Sequence, residues 1–311
     1  MSIIANLKFG RFAMTAMLKI FPKAPDKHKP GHPLVPNGLG VIYVLGSVLY
    51  LFLIHYLYAM NSGGENTPAL NLAVCLLFGG FMGLLDDWMN LRWRYKAFLP
   101  VLAALPLSVL RQGTPVMSTY IFGRINFLEI TFWFIPGEIV FFFIVIPLIV
   151  TVTTNAVNQL GGLNGLETIC PTIVLVALMF SSEPKYRVLL YAPIAINVLL
   201  AVFNFQGKIF VGNVGSFASG ITIASYAIIA NIEQALLISI IPYIFNSILK
   251  LANIFFFRRT AALKMRGNLL YSDHRRSLLT LIAYYKPLTE RNLVLVVSAL
   301  FIVFAVLAAL S

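Results

Sequence analysis

Gly83-Leu84-Leu85-Asp86-Asp87-Trp88-Met89-Asn90-Leu91-Arg92-Trp93-Arg94-Tyr95-Lys96 is the stretch on which the reading of this chain turns. A largely apolar run from Leu70 to Leu85 ends on two adjacent carboxylates, and Arg92, Arg94 and Lys96 follow closely. Neighbouring carboxylates repel, so the pair needs cations, water or a metal close by to stay ionised. Trp88, Trp93 and Tyr95 suit a membrane–water boundary, where an amphipathic ring keeps one side wet. The stretch therefore reads as a membrane helix delivering an acidic pair to the interface. Taken alone it is equally an ordinary capping loop, and the rest of the chain decides.

The 311 residues are 59% apolar and only 11% charged, with a mean hydropathy of +0.86. A soluble domain carries roughly 25% charged residues, so this composition is that of an integral membrane protein. The net charge of +12 fits basic loops beside apolar spans, and no nucleic-acid partner is expected. Cys75 and Cys170 both lie in apolar stretches and read as small packing residues.

Residues 3–21 are too basic for a full span and suggest an amphipathic surface helix or a partial span. Residues 22–37 form a loop rich in Pro and Lys. Nine apolar stretches follow, at 38–60, 68–86, 95–112, 136–155, 163–181, 186–205, 211–231, 234–257 and 291–310. They predict an all-α polytopic protein of about nine transmembrane helices, forming a single domain over 1–311. Residues 114–132 alternate loosely around Gly123 and predict a short extracytoplasmic β-hairpin.

Threading these spans from a cytoplasmic N-terminus places eighteen Lys and Arg inside and four outside, with Lys250 left within a span. That asymmetry obeys the positive-inside rule. The loops 22–37, 86–96, 155–165, 206–213 and 258–290 then share the cytoplasmic face and are expected to form the site. A transporter would place its polar groups near the midplane, on repeats, and no internal repeat is evident. Polar groups gathered at one face suit an enzyme that joins a soluble substrate to a lipid.

Three further stretches carry polar chemistry. In Asn155-Ala156-Val157-Asn158-Gln159-Leu160-Gly161-Gly162-Leu163-Asn164-Gly165-Leu166-Glu167, Asn155 and Asn158 share a helix face. The glycines after them permit close backbone approach by a ligand. The ordinary reading is an Asn/Gly turn between membrane helices. Lys208-Ile209-Phe210-Val211-Gly212-Asn213-Val214-Gly215-Ser216 is a second glycine-spaced helix entry, without the spacing of a phosphate loop. The segment 258–276 holds five Arg with Lys264, Asp273 and His274. Arg suits phosphate, although basic cytoplasmic loops commonly only set topology.

Together these motifs resemble the polyprenyl-phosphate N-acetylhexosamine-1-phosphate transferase family, most closely its archaeal and eukaryotic branch acting on dolichyl phosphate and UDP-GlcNAc. The resemblance rests on Leu85-Asp86-Asp87 with Asn90 to Lys96, on Thr154 to Glu167, and on Phe210-Val211-Gly212-Asn213. It implies transfer of GlcNAc-1-phosphate from a UDP-sugar to a membrane polyprenyl or dolichyl phosphate, releasing UMP. The implied cofactor is Mg2+, with Mn2+ as a substitute.

The implied roles follow position by position. Asp86, Asp87 and Lys96 match the catalytic aspartate pair and the phosphate-binding lysine, and Asn158 and Asn213 match the metal ligands. Gly162, Asn164 and Phe210 match positions that hold uracil. Asn90, Trp93, Asn155, Arg258 and Arg259 match positions near the sugar and its phosphates. Asn213 stands where the family has Asp, and Asn37 where many members have Glu, so a catalytically impaired homologue is the rival reading. The expected membrane is the archaeal plasma membrane, or else the endoplasmic reticulum, with a cytoplasmic site. A homodimer is also compatible with the resemblance.

Overall fold

The structure, a computed structural model, describes residues 19–62, 67–119, 123–258 and 260–311. The surface helix expected over 3–21 lies almost wholly outside them, as does Arg259. The chain opens with an antiparallel hairpin of β1 (Lys23–Pro25) and β2 (Leu34–Pro36), within what the sequence suggested was plain loop. Helices α1 (Gly40–Ser62), α2 (Thr67–Met89) and α3 (Trp93–Val109) follow.

Residues 114–132 do form a hairpin, β3 (Val116–Thr119) against β4 (Gly123–Asn126). A smaller pair comes next, β5 (Thr131–Phe132) with β6 (Ile135–Pro136). The chain continues through α4 (Gly137–Gln159), which contains a π-helical turn at Phe141–Val145, α5 (Leu166–Ser181) and α6 (Pro184–Phe205). Then come α7 (Gly212–Ala230), α8 (Glu233–Ser239) and α9 (Ile241–Phe257). Strands β7 (Lys264–Arg266) and β8 (Leu269–Tyr271) pair antiparallel ahead of α10 (Leu278–Tyr285) and α11 (Glu290–Ala309).

Every one of the nine apolar stretches is thus helical. By length and hydropathy, six of the described helices can cross a membrane, and the pair α8–α9, bent by 58°, makes a seventh if taken as one span. The other two are shorter. α5 has 16 residues and α3 has 17, with Pro100 and Pro106 inside it. At 1.5 Å per residue they reach only about 25 Å of a hydrocarbon core near 30 Å. The segment 258–290, expected as one basic loop, instead holds a hairpin and a helix. There Ser277 and Thr280 form a reciprocal cap that starts α10.

The core sits on α7, whose residues from Val214 to Ala230 are all buried. α2 approaches it so closely that a Cβ on Gly83 would lie 2.3 Å from the Asn213 carbonyl oxygen and 2.5 Å from the Val214 Cα. In lipid, where helices gain nothing from leaving water, close packing across small residues is one of the forces that associate helices.

Candidate active site

The C-terminal end of α2, the N-terminal ends of α3 and α7, and the C-terminal end of α4 meet at one end of the bundle, and their polar residues meet with them. Asp87 faces the first turn of α7, accepting from the Asn213 N–H at 3.0 Å and the Val214 N–H at 3.1 Å. The Asn213 amide also lies close enough to donate to this carboxylate. A helix start offers unpaired N–H groups and a positive dipole end, so it holds a carboxylate well. Gly212 makes the approach feasible: its φ is +69°, and a Cβ there would meet the Asp87 Oδ2 at 2.6 Å.

Asp86 is only 2% exposed. Its Oδ1 pairs with Lys96 Nζ at 2.8 Å and accepts the Leu91 N–H at 3.0 Å. Its Oδ2 is buried with no hydrogen-bond partner among the described residues. A buried carboxylate oxygen left unmatched costs about 1–3 kcal/mol or more, and a cation or proton arriving there removes that cost.

Asn158 and Asn213 come together through one side chain. Ser216 Oγ donates to Asn158 Oδ1 at 2.7 Å and lies 3.3 Å from the Asn213 carbonyl oxygen. The donors near this point (Asp87, Asn158, Asn213 and the unmatched Asp86 oxygen) are all oxygen. Such a set fits a hard divalent cation like Mg2+ or Mn2+ rather than zinc or copper.

Two hollows flank the acidic pair. One is a polar cavity of about 320 Å³, lined among others by Asp87, Asn213, Phe210, Gly162, Asn37 and Asp26. Phe210 is fixed there by its main chain, which donates to the Pro36 carbonyl and accepts from the Leu39 N–H. Gly162 has φ +109° and donates its N–H to Glu167. The other hollow is an apolar groove of about 540 Å³ between α3, α4 and α9, with Trp93, Lys96, Asn155 and Asn158 in its wall. Trp93 packs edge-on against Phe255 of α9, and Asn155 ties α4 to α3 through the Ala97 carbonyl.

The remaining positions expected in the site lie differently. Asn164 is 4% exposed, and its amide donates to Asp26 Oδ2 at 2.8 Å and to Glu290 Oε1 at 2.9 Å. Its backbone N–H also donates to Glu290. In this conformation Asn164 ties the β1–β2 hairpin and α11 to the loop after α4, and it does not line the cavity. Asn90 closes α2 with φ +47°, and Arg258 closes α9 with φ +49°. Neither lines the cavity or the groove.

Sequence reasoning missed Asp26, Asn204, Glu290 and Lys250. Asn204 accepts the Gly165 N–H at 2.8 Å and donates to the Ile209 carbonyl, bracing both glycine loops. Burial alone would push the Asp26 carboxyl up. The Asn164 amide and Lys29, whose Nζ is 3.0 Å away, outweigh burial and hold it below the usual carboxylate range. Only Lys250 had a local signal, being a charge inside an apolar span.

The Glycosyl transferase family 4 model matches residues 69–231, the part that holds both hollows' central residues. The UDP-N-acetylglucosamine–dolichyl-phosphate N-acetylglucosaminephosphotransferase of Saccharomyces cerevisiae is 26% identical over 296 residues, covering 77% of this chain and 63% of its own length. A Saccharolobus solfataricus protein given that same name provisionally is 33% identical over 295 residues, 91% of this chain and 86% of its own. The phospho-N-acetylmuramoyl-pentapeptide-transferase of Desulforudis audaxviator is 28% identical over 262 residues, 76% of this chain and 72% of its own.

Proposed function

Because the chain belongs to glycosyl transferase family 4, we propose that it transfers N-acetylglucosamine-1-phosphate from UDP-N-acetylglucosamine to a membrane polyprenyl or dolichyl phosphate. The observation that carries this reading is a polar cavity lined by Asp87 beside an apolar groove lined by Lys96, the ion-pair partner of the adjacent Asp86. The cavity suits a nucleotide sugar, and the groove suits an isoprenoid tail.

In this reading an oxygen of the lipid phosphate attacks the phosphorus that bears the sugar. The bond from that phosphorus to its bridging oxygen breaks, and UMP leaves with the electron pair. Lys96, already paired with Asp86, lines the groove and meets the incoming lipid phosphate. The unmatched Asp86 Oδ2 is the atom that takes the proton from that phosphate. Asp87, held by two backbone N–H groups, fixes the start of α7 and would be one of the residues that hold the metal. Asn158 and Asn213 would complete the oxygen set for a divalent cation, Mg2+ or Mn2+, which would supply positive charge opposite the diphosphate.

Asn213 brings a dipole where a carboxylate would bring a charge, and the adjacent Asp86–Asp87 pair supplies the negative charge instead. The site faces the cytoplasm, as the basic loops imply, in an archaeal plasma membrane. The whole chain acts as one membrane domain. Purified protein with radiolabelled UDP-N-acetylglucosamine, polyprenyl phosphate and Mg2+ tests the proposal. Labelled lipid with stoichiometric UMP is the expected result. Nucleotide-sugar binding without product, at any Mg2+ concentration, would establish the impaired homologue instead.

A further inference from the structure

The groove wall holds a second cation that the reaction scheme above leaves idle. Among the described residues its charged lining consists of Lys96 and Lys250, with no carboxylate. Lys96 is neutralised by Asp86 at 2.8 Å. Lys250 has no such partner in the wall. Its Nζ donates to the carbonyl of Gln159, the last residue of α4, where the helix presents partial negative charge. Around it the wall is apolar, with Ile248, Leu251 and Ile254 from its own helix and Val152 from α4.

A charge inside a membrane-spanning helix is costly and is kept where it has work to do with another charge. Here the missing partner is an anion. Asn155, Asn158 and Gln159 line the same groove, so an anion beside Lys250 lies next to the acidic pair's metal ligand. The rest of the groove accepts a long apolar chain.

From this juxtaposition we infer that Lys250 binds the phosphate headgroup of a single-chain isoprenoid phosphate, holding it before and during its approach to Lys96. The inference rests on the transferase reading for the identity of the acceptor, but not for the binding itself. Two lysines on one phosphate divide the labour. Lys250 holds the anion as it comes along the groove, and Lys96 takes it up at the reacting centre.

Lys250→Met tests this with a side chain of similar length and no charge, suited to the apolar wall. Initial rates with varied polyprenyl phosphate should show the lipid KM raised roughly 10- to 100-fold, the size of one charge-assisted hydrogen bond. The KM for UDP-N-acetylglucosamine and the kcat at saturating lipid should stay unchanged, and Lys250→Arg should restore the lipid KM. Lys250→Gln carries the same test should the Met variant be lost in purification.

A turnover-free arm separates this inference from the reaction itself: binding of polyprenyl phosphate against polyprenol to protein in nanodiscs of neutral lipid. Wild type should prefer the phosphate, and Lys250→Met should lose the preference. Competitors identify the source of the anion. Inorganic phosphate or phosphatidic acid that displaces the isoprenoid phosphate at equal concentration would mark a general anion site and overturn the assignment. An unchanged lipid KM and an unchanged phosphate preference in Lys250→Met would overturn it as well. Lost turnover with the binding preference intact in wild type would instead be a failure of the transferase reading alone.

Discussion

Gly83→Ala is a change of one methyl group at the point where α2 meets α7. The added carbon would sit 2.3 Å from the Asn213 carbonyl oxygen and 2.5 Å from the Val214 Cα, whereas ordinary contact begins at 3.4 Å. Both neighbours are backbone, so no side chain can swing aside and the helices must part by about 1 Å. Asp87 lies one turn further along α2. Its contacts to the Asn213 and Val214 N–H groups, now 3.0 and 3.1 Å, would stretch toward 4 Å, beyond hydrogen-bonding reach. A misplacement of about 1 Å at a reacting centre can lower turnover roughly 100-fold. Overpacking of this kind costs about 1–3 kcal/mol of stability. Initial-rate transfer from radiolabelled UDP-N-acetylglucosamine, beside a thermal melt of the same preparation, reads both effects. Gly46→Ala is the control, since its Cβ first meets Cδ1 of Ile196, the yielding end of a side chain. Wild-type turnover and melting in Gly83→Ala would refute the claim that helix contact positions the acidic pair.

Asp86→Asn removes the proposed proton acceptor and should lower kcat by about 10²–10⁴-fold while leaving UDP-N-acetylglucosamine affinity intact; kcat within a few-fold of wild type rules the role out. Asn213→Asp adds charge at a metal position and should lower the Mg2+ concentration for half-maximal turnover by about tenfold. An unchanged metal titration would show that residue 213 is not a ligand. Asp26→Asn should lower the melting temperature at neutral pH, by the equivalent of about 1–3 kcal/mol for a charged hydrogen-bond acceptor. Because the folded Asp26 carboxyl lies below its ordinary value, its contribution is complete above about pH 3.9. It fades as pH falls through the lowered folded value, so the gap between variant and wild type should close on acidification. A gap that stays constant to low pH would contradict the assignment.

What could be read from the sequence was whatever a short window contains. The apolar run into Asp86-Asp87, the paired asparagines on one helix face and the glycine-spaced entry at Gly212 each announce themselves locally, and each stands where a helix ends or begins. Two apolar stretches were read as full spans although α3 carries two prolines and α5 is short. Hydropathy registers composition and not reach. The Ser277–Thr280 cap was legible too, but the surrounding Arg residues drew the reading toward a loop. The partners of Asn164 were beyond any window, because Asp26 lies 138 residues away and Glu290 lies 126 away. The single atom that bridges Asn158 to position 213, Ser216 Oγ, depends on how two helices cross. Lys250 showed itself as a misplaced charge, and only the groove gave that charge a purpose.

The tie through Asn164 carries a consequence for the order in which the protein is made. A nascent chain that has emerged as far as residue 220 already holds Asp86, Asp87, Asn158, Asn164 and Asn213. It still lacks Glu290, which accepts from Asn164 twice and stands on the first turn of α11. Until that turn is synthesised and inserted, Asn164 is held by Asp26 alone, and the hairpin rests on that contact and on the backbone bonds of Phe210 to Pro36 and Leu39. Assembly therefore acts as a timer: the acidic pair and its asparagines are laid down early, and the last tie on the loop beside the cavity closes only after another seventy residues have been made.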